Sequence, residues 1–134
     1  MGRILVLDTH ALIWFLQGDS RLGLAAQAAI ADAESSLVIP AIVLAEAMWI
    51  VERGRTNIPS PAALLETINA DPRFRVLPLD QAILERTISL TAITEMHDRQ
   101  IVASALSLIT PKTPAMLIST DHQIRDSGLV PMLW

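Results

Sequence analysis

Short, strongly apolar runs alternate with longer segments of helical periodicity along the whole chain, and turn or cap residues bound each one. "RILVL" (3–7) reads as a buried strand and "THALIWFLQG" as a helix stopping at Gly18. Asp19 or Ser20 is placed to cap an alanine-rich helix to about Ala33. "SLVIP" is a second strand and "AIVLAEAMWIVER" a helix closed by Gly54. Ser60 and Pro61 open "AALLETINA", which Asp71-Pro72 ends, and "RFRVLPL" follows as a strand. Asp80 caps "QAILERTISL", and a helix over "DRQIVASALSLI" starts at Asp98 and stops before Pro111. "AMLIST" (115–120) is the second strongly apolar strand, Asp121 opens a short helix, and "LVPMLW" is an edge strand. Such alternation predicts an α/β three-layer sandwich, a mainly parallel central sheet flanked by helices. At 134 residues, one domain over 1–134 is expected.

Apolar residues make up 51% and charged ones 18%, which excludes a disordered chain and leaves more hydrophobic surface than a small domain hides easily. "ALIWFL", with Trp14 and Phe15, is either ordinary core or a partner surface. The longest apolar tract, Leu37 to Val51, is broken by Pro40 and Glu46 and is shorter than the roughly 20 residues a membrane span needs. The start "MGRILVLD" lacks signal-peptide features and the chain has no cysteine, so a cytoplasmic location is expected. A net charge of −4 provides no global positive field, so any nucleic-acid contact must be local. The basic residues are nine arginines and Lys112, and arginine is the better fork for phosphate.

Ligands of open parallel sheets sit beyond the carboxyl ends of the strands, and two strands here end in aspartate, Asp8 and Asp121. Asp98 begins a helix leading back to the second of these strands, and spacing leaves its rim open. N-capping is an alternative reading for all three. It does not apply to Glu46, in mid-helix with Ile42, Val43, Trp49 and Ile50 as face neighbours. A buried ionised carboxylate costs several kcal/mol, so Glu46 should be neutralised, paired with an arginine, near a cleft, or bound to a cation. Mg²⁺ or Mn²⁺ suits an all-oxygen Asp/Glu cluster without cysteine.

"LVLDTHALIWFL", "PAIVLAEAMWIVERGR", "HDRQIVASAL" and "LISTDHQI" resemble the four acidic motifs of PIN-domain proteins, in order and across almost the whole chain. They most nearly resemble those of VapC toxins from bacterial toxin–antitoxin pairs. The resemblance implies a PIN-like fold that brings Asp98 to the same rim as the other acids. It also implies that Asp8, Glu46, Asp98 and Asp121 are the catalytic, metal-binding quartet of an endoribonuclease using Mg²⁺ or Mn²⁺. RNA substrate and a cognate antitoxin are the implied partners, and the apolar surplus, including Trp14 and Phe15, should serve a homodimer or an antitoxin. Glu95 and Ser119 are auxiliary candidates by their places in the third and fourth motifs. "EMH" before Asp98 departs from the usual small residues or proline, and His10, His97 and His122 carry no assigned role. Arg53, Arg55 and Arg99 either hold backbone phosphates or are solvated helix ends.

Two other classes compete. A receiver-type phosphoacceptor module is also a small α/β fold with an acidic Mg²⁺ pocket. It needs an acid pair after the first strand and a late lysine, whereas this chain has a single Asp8 and only Lys112. An inactive PIN-like scaffold that binds RNA or protein is the third reading, and the presence of all four motif acids argues against it.

Overall fold

The computed structural model describes residues 3–134, so Met1 and Gly2 of the expected 1–134 unit lie outside the described residues. In chain order the elements are β1 (Ile4–Leu7), α1 (Thr9–Gln17), α2 (Leu24–Ala31), β2 (Ser36–Pro40), α3 (Ala41–Glu52) and α4 (Pro61–Ala70). They continue with β3 (Phe74–Leu77), α5 (Gln81–Thr87), α6 (Met96–Leu108), β4 (Ala115–Ile118), α7 (His122–Ser127) and β5 (Met132–Leu133).

The strands form one sheet in the order β3-β2-β1-β4-β5, and every pairing is parallel. Parallel strands covered on both faces read as continuous apolar runs, and Leu5, Val6 and Leu7 at the centre are fully buried. From β1 the chain builds outward through β2 and β3, then returns to add β4 and β5 on the other side. That reversal creates a switch point between β1 and β4, where open α/β sheets leave a crevice at the strand carboxyl ends. Receiver modules follow the order 2-1-3-4-5, so this topology is not theirs.

Most element ends follow local chemistry. Asp8, Ser60, Asp80 and Asp121 cap α1, α4, α5 and α7 by accepting backbone N–H groups, and Gly18 ends α1 in the left-handed region at φ 66°. Several boundaries differ from expectation: the strands over "RFRVLPL", "AMLIST" and "LVPMLW" shorten to Phe74–Leu77, Ala115–Ile118 and Met132–Leu133, and three helix boundaries move. Neither Asp19 nor Ser20 caps α2, whose N-cap is Gly23; Asp19 is drawn instead into an ion pair with Arg21 at 2.7 Å. Helix α5 stops at Thr87 instead of running to Leu90. Helix α6 begins two residues early, because Glu95 accepts the Asp98 N–H at 2.8 Å and serves as its N-cap. Asp98 therefore lies in the first turn and is not a cap.

The burial that its apolar neighbours suggested for Glu46 is also corrected. Only Val43, Ala47 and Val51, one i, i+4, i+8 stripe, are buried, whereas Glu46 is exposed and Trp49 is 51% exposed. Trp14 and Phe15 are half-buried against the core; Trp14 meets Trp134 edge-on at 5.7 Å and Phe15 lies 6.4 Å from Phe74. The apolar surplus surfaces elsewhere, at Leu24, Ile88, Met96 and Trp49. Among the described residues, no helix is long and apolar enough to cross a membrane.

Candidate functional site

Asp8 leaves β1 at the switch point, and its N–H donates to the Ile118 carbonyl at the end of β4, 3.2 Å away. Its Oδ1 accepts the Ala11 N–H at 2.8 Å. Asp121, just past β4, repeats the device, with Oδ1 accepting from Ile124 N at 2.9 Å. The cap bonds use one oxygen of each aspartate, and both residues line the crevice, so capping and ligation are compatible. Asp98 arrives from the first turn of α6 and Glu46 from the middle of α3. All four acids line one cleft of about 320 Å³, with Thr9 and His10 beside them.

The electrostatics record this convergence. Asp98 is pushed up to about 6, first by loss of solvent and then by repulsion from Asp121, Glu95, Asp8 and Glu46. Asp8 is raised by burial, against which the Ser119 hydroxyl, the Ala11 amide and His10 act, while Asp121 adds to the rise. Ser119 is 4% exposed, and its Oγ accepts the Asp121 N–H at 3.1 Å, so this one hydroxyl conditions two of the acids. Glu95 is exposed and lies outside the cleft lining. Desolvation raises its pKa, but the backbone amides of Asp98 and His97 and the His97 imidazole outweigh that and hold it low. Its carboxylate, already committed to the α6 cap and to His97 Nδ1 at 2.7 Å, positions the helix that carries Asp98.

The arginine partner considered for Glu46 is not formed: among the described residues the ion pairs join Arg21 to Asp19, Arg73 to Asp71 and His97 to Glu95. Instead the Thr9 hydroxyl, only 3% exposed, donates to Glu46 Oε1. Sequence reasoning missed Thr9; the available signal was a hydroxyl residue directly after a strand-end aspartate in "LDTH". Arg99 does not reach the cleft. Its Nε donates to the Ile93 carbonyl, and it lines a separate hollow with Thr87, Thr94 and Gln100.

The donor chemistry fits a hard divalent cation: four carboxylates and two hydroxyls, with no lysine or arginine in the lining. Among the described residues, no three Asp, Glu or His side chains close on a single point. Like charges in one cleft repel each other where no ion lies between them.

A family model described as the PIN domain matches residues 5–127. Among solved structures, VapBC2 from Rickettsia felis bound to a promoter DNA fragment superposes at TM-score 0.67 and 13% identity, covering 97% of both chains. A toxin–antitoxin complex from Klebsiella pneumoniae gives 0.66 at 20% identity, over 97% of this chain and 96% of that one. The T. brucei RRP44 PIN domain gives 0.53 at 15% identity, over 98% of this chain and 76% of its own. At these identities the likeness is one of fold. No curated protein matches the chain by sequence.

Proposed function

Since the chain belongs to the PIN-domain family, we propose that it is a divalent-metal-dependent endoribonuclease and the toxin of a toxin–antitoxin pair. The observation that carries this reading is the meeting of Asp8, Glu46, Asp98 and Asp121, from four separate elements, in one cleft at the sheet's switch point. In the proposed reaction these acids hold Mg²⁺ or Mn²⁺, Thr9 orients Glu46, and Ser119 orients Asp8 and Asp121. The cation supplies a water of lowered pKa and stabilises charge developing on the scissile phosphate. Without it, the clustered carboxylates repel the RNA backbone. An antitoxin partner is supported by the toxin–antitoxin complexes among the solved structures of like fold. A homodimer and cytoplasmic action of the chain as one domain complete the proposal.

Purified protein is incubated with total RNA, with and without Mg²⁺ or Mn²⁺, and the cut ends are mapped. Cleavage should need the ion and stop with a chelator. Asp8→Asn should lower the rate by at least about a hundredfold while the variant remains folded by circular dichroism. RNA binding without cleavage in either metal would identify an inactive scaffold instead. A folded, fully active Asp8→Asn protein would remove the acidic site from the mechanism.

A further inference from the structure

The side of α3 that its core packing leaves free carries an ordered series of side chains. Glu46, Trp49 and Arg53 follow one another at i, i+3 and i+7, a single stripe spanning about 10 Å along the axis. Three hollows meet along it. The acidic cleft shares Glu46 with a groove of about 440 Å³ lined by Ile42, Ala45, Glu46, Trp49 and His97. That groove shares Trp49 with a third hollow of about 600 Å³ lined by Trp49, Glu52, Arg53 and Arg55. The shared residues set the three hollows in series along α3, from carboxylates, past the exposed indole, to guanidinium groups.

Each member of the series is available for binding. Trp49 is 51% exposed, which is costly for so large an apolar ring unless something covers it. The Arg53 guanidinium lies 3.7 Å from the Trp49 ring centroid, a cation–π contact that restrains the indole. Among the described residues, neither Arg53 nor Arg55 enters an ion pair. Two guanidiniums against the single carboxylate of Glu52 make this end locally positive on a chain of net charge −4. A carboxylate cluster, an aromatic platform and a cationic end in sequence match what a single nucleic-acid strand presents: a scissile phosphate, a base and a further phosphate.

We propose that the outward stripe of α3 is a subsite for single-stranded RNA on one side of the scissile bond, where a base stacks on Trp49 and Arg53 and Arg55 hold the next phosphates. It rests on the nuclease reading above and adds to it the side of the acids on which the strand lies and a reach of about two to three nucleotides beyond them. Because stacking accepts any base and a duplex does not unstack to supply one, the subsite favours single strands and carries little sequence preference.

The test measures binding and cleavage of a fluorescent mixed-sequence oligoribonucleotide by the full chain and by Trp49→Ala, Trp49→Phe and Arg53→Gln/Arg55→Gln. Hydrolysis of bis(4-nitrophenyl) phosphate in Mn²⁺ runs in parallel, because that small diester carries no nucleobase and no second phosphate for the stripe to hold. Trp49→Ala should weaken oligonucleotide binding and raise KM about tenfold with little change in kcat, and Trp49→Phe should restore most of the loss. The double arginine variant should bind about tenfold more weakly and show a shallower salt dependence. All variants should hydrolyse the small diester like the parent. If Trp49→Ala binds and cleaves the oligonucleotide as the parent does, the subsite does not exist. If it instead loses self-association or antitoxin binding with unchanged RNA affinity, the stripe belongs to a protein partner and the proposal fails. A parent inert on both substrates defeats the nuclease reading alone, because oligonucleotide anisotropy with the same variants still decides the subsite.

Discussion

Asp98 is the carboxylate whose charge the cleft resists most. Its folded value of about 6 lies above the ordinary 3.8, so between those values the folded chain holds a proton that the unfolded chain has released. Stability from this group is therefore greatest below about pH 4 and declines as pH rises through 6. The penalty above that is about 1 kcal/mol once screening at a half-buried position is allowed for. Carboxylates held low, such as Asp71 beside Arg73, act with the opposite sign and lose their contribution as pH falls. Comparing the parent with Asp98→Asn isolates the single group. In chelator, the variant should be the more stable protein at pH 7 by urea unfolding, and the difference should fade towards pH 4. A variant less stable than its parent at pH 7 would show that Asp98 is not under repulsion. At this scale the sequence was legible where a residue's position along a strand decided its place, as for Asp8 and Asp121. Glu46 was singled out on a wrong premise. The apolar letters around it suggested burial, but the face a helix buries depends on what packs against it, and here that face is Val43, Ala47 and Val51.

Element boundaries were legible where a side chain caps its own helix and illegible where distant chain intervenes. Asp80 and the Ser60-Pro61 pair declare their helices locally, since the bonds they make span three residues. The rim occupied by Asp98 was not declared. It depends on Glu95 starting α6 early and on how α6 packs against β4, a relation that periodicity does not encode. Gly23 is a second case. A Cβ there would lie 2.5 Å from the carbonyl carbon of Trp134, so the start of α2 and the end of the chain touch through the missing side chain. Strand β5, which pairs Met132 and Leu133 with Leu117 and Ile118, ends one residue before Trp134. Gly23→Ala should push the final residues off α2, costing about 1–3 kcal/mol and lowering Tm by several degrees. Thermal unfolding would register it. An unchanged Tm would mean that the close approach is not a constraint on the fold.

For the whole molecule, the alternation of strand and helix was enough to specify a covered parallel sheet, but not the strand order. Order is set by which way each crossover turns, and the return to β4 beside β1 is what makes a crevice at all. Folding therefore assembles the acids and meets a cost in doing so, because four of the chain's fourteen carboxylates are brought to one cleft. The unfolded chain keeps those charges apart and offers no such site. A cation that fits the cleft then binds only the folded form, and its binding energy appears as stability. Mg²⁺ or Mn²⁺ at about a hundredfold over Kd should add about 2.7 kcal/mol, a rise of about 8 °C in Tm, and chelator should reverse it. Asp8→Asn should shrink the metal-dependent rise, whereas Na⁺ at matched ionic strength should not reproduce it in the parent. If millimolar Mn²⁺ leaves the parent's Tm where chelator leaves it, the cleft is an acidic surface and not a cation site.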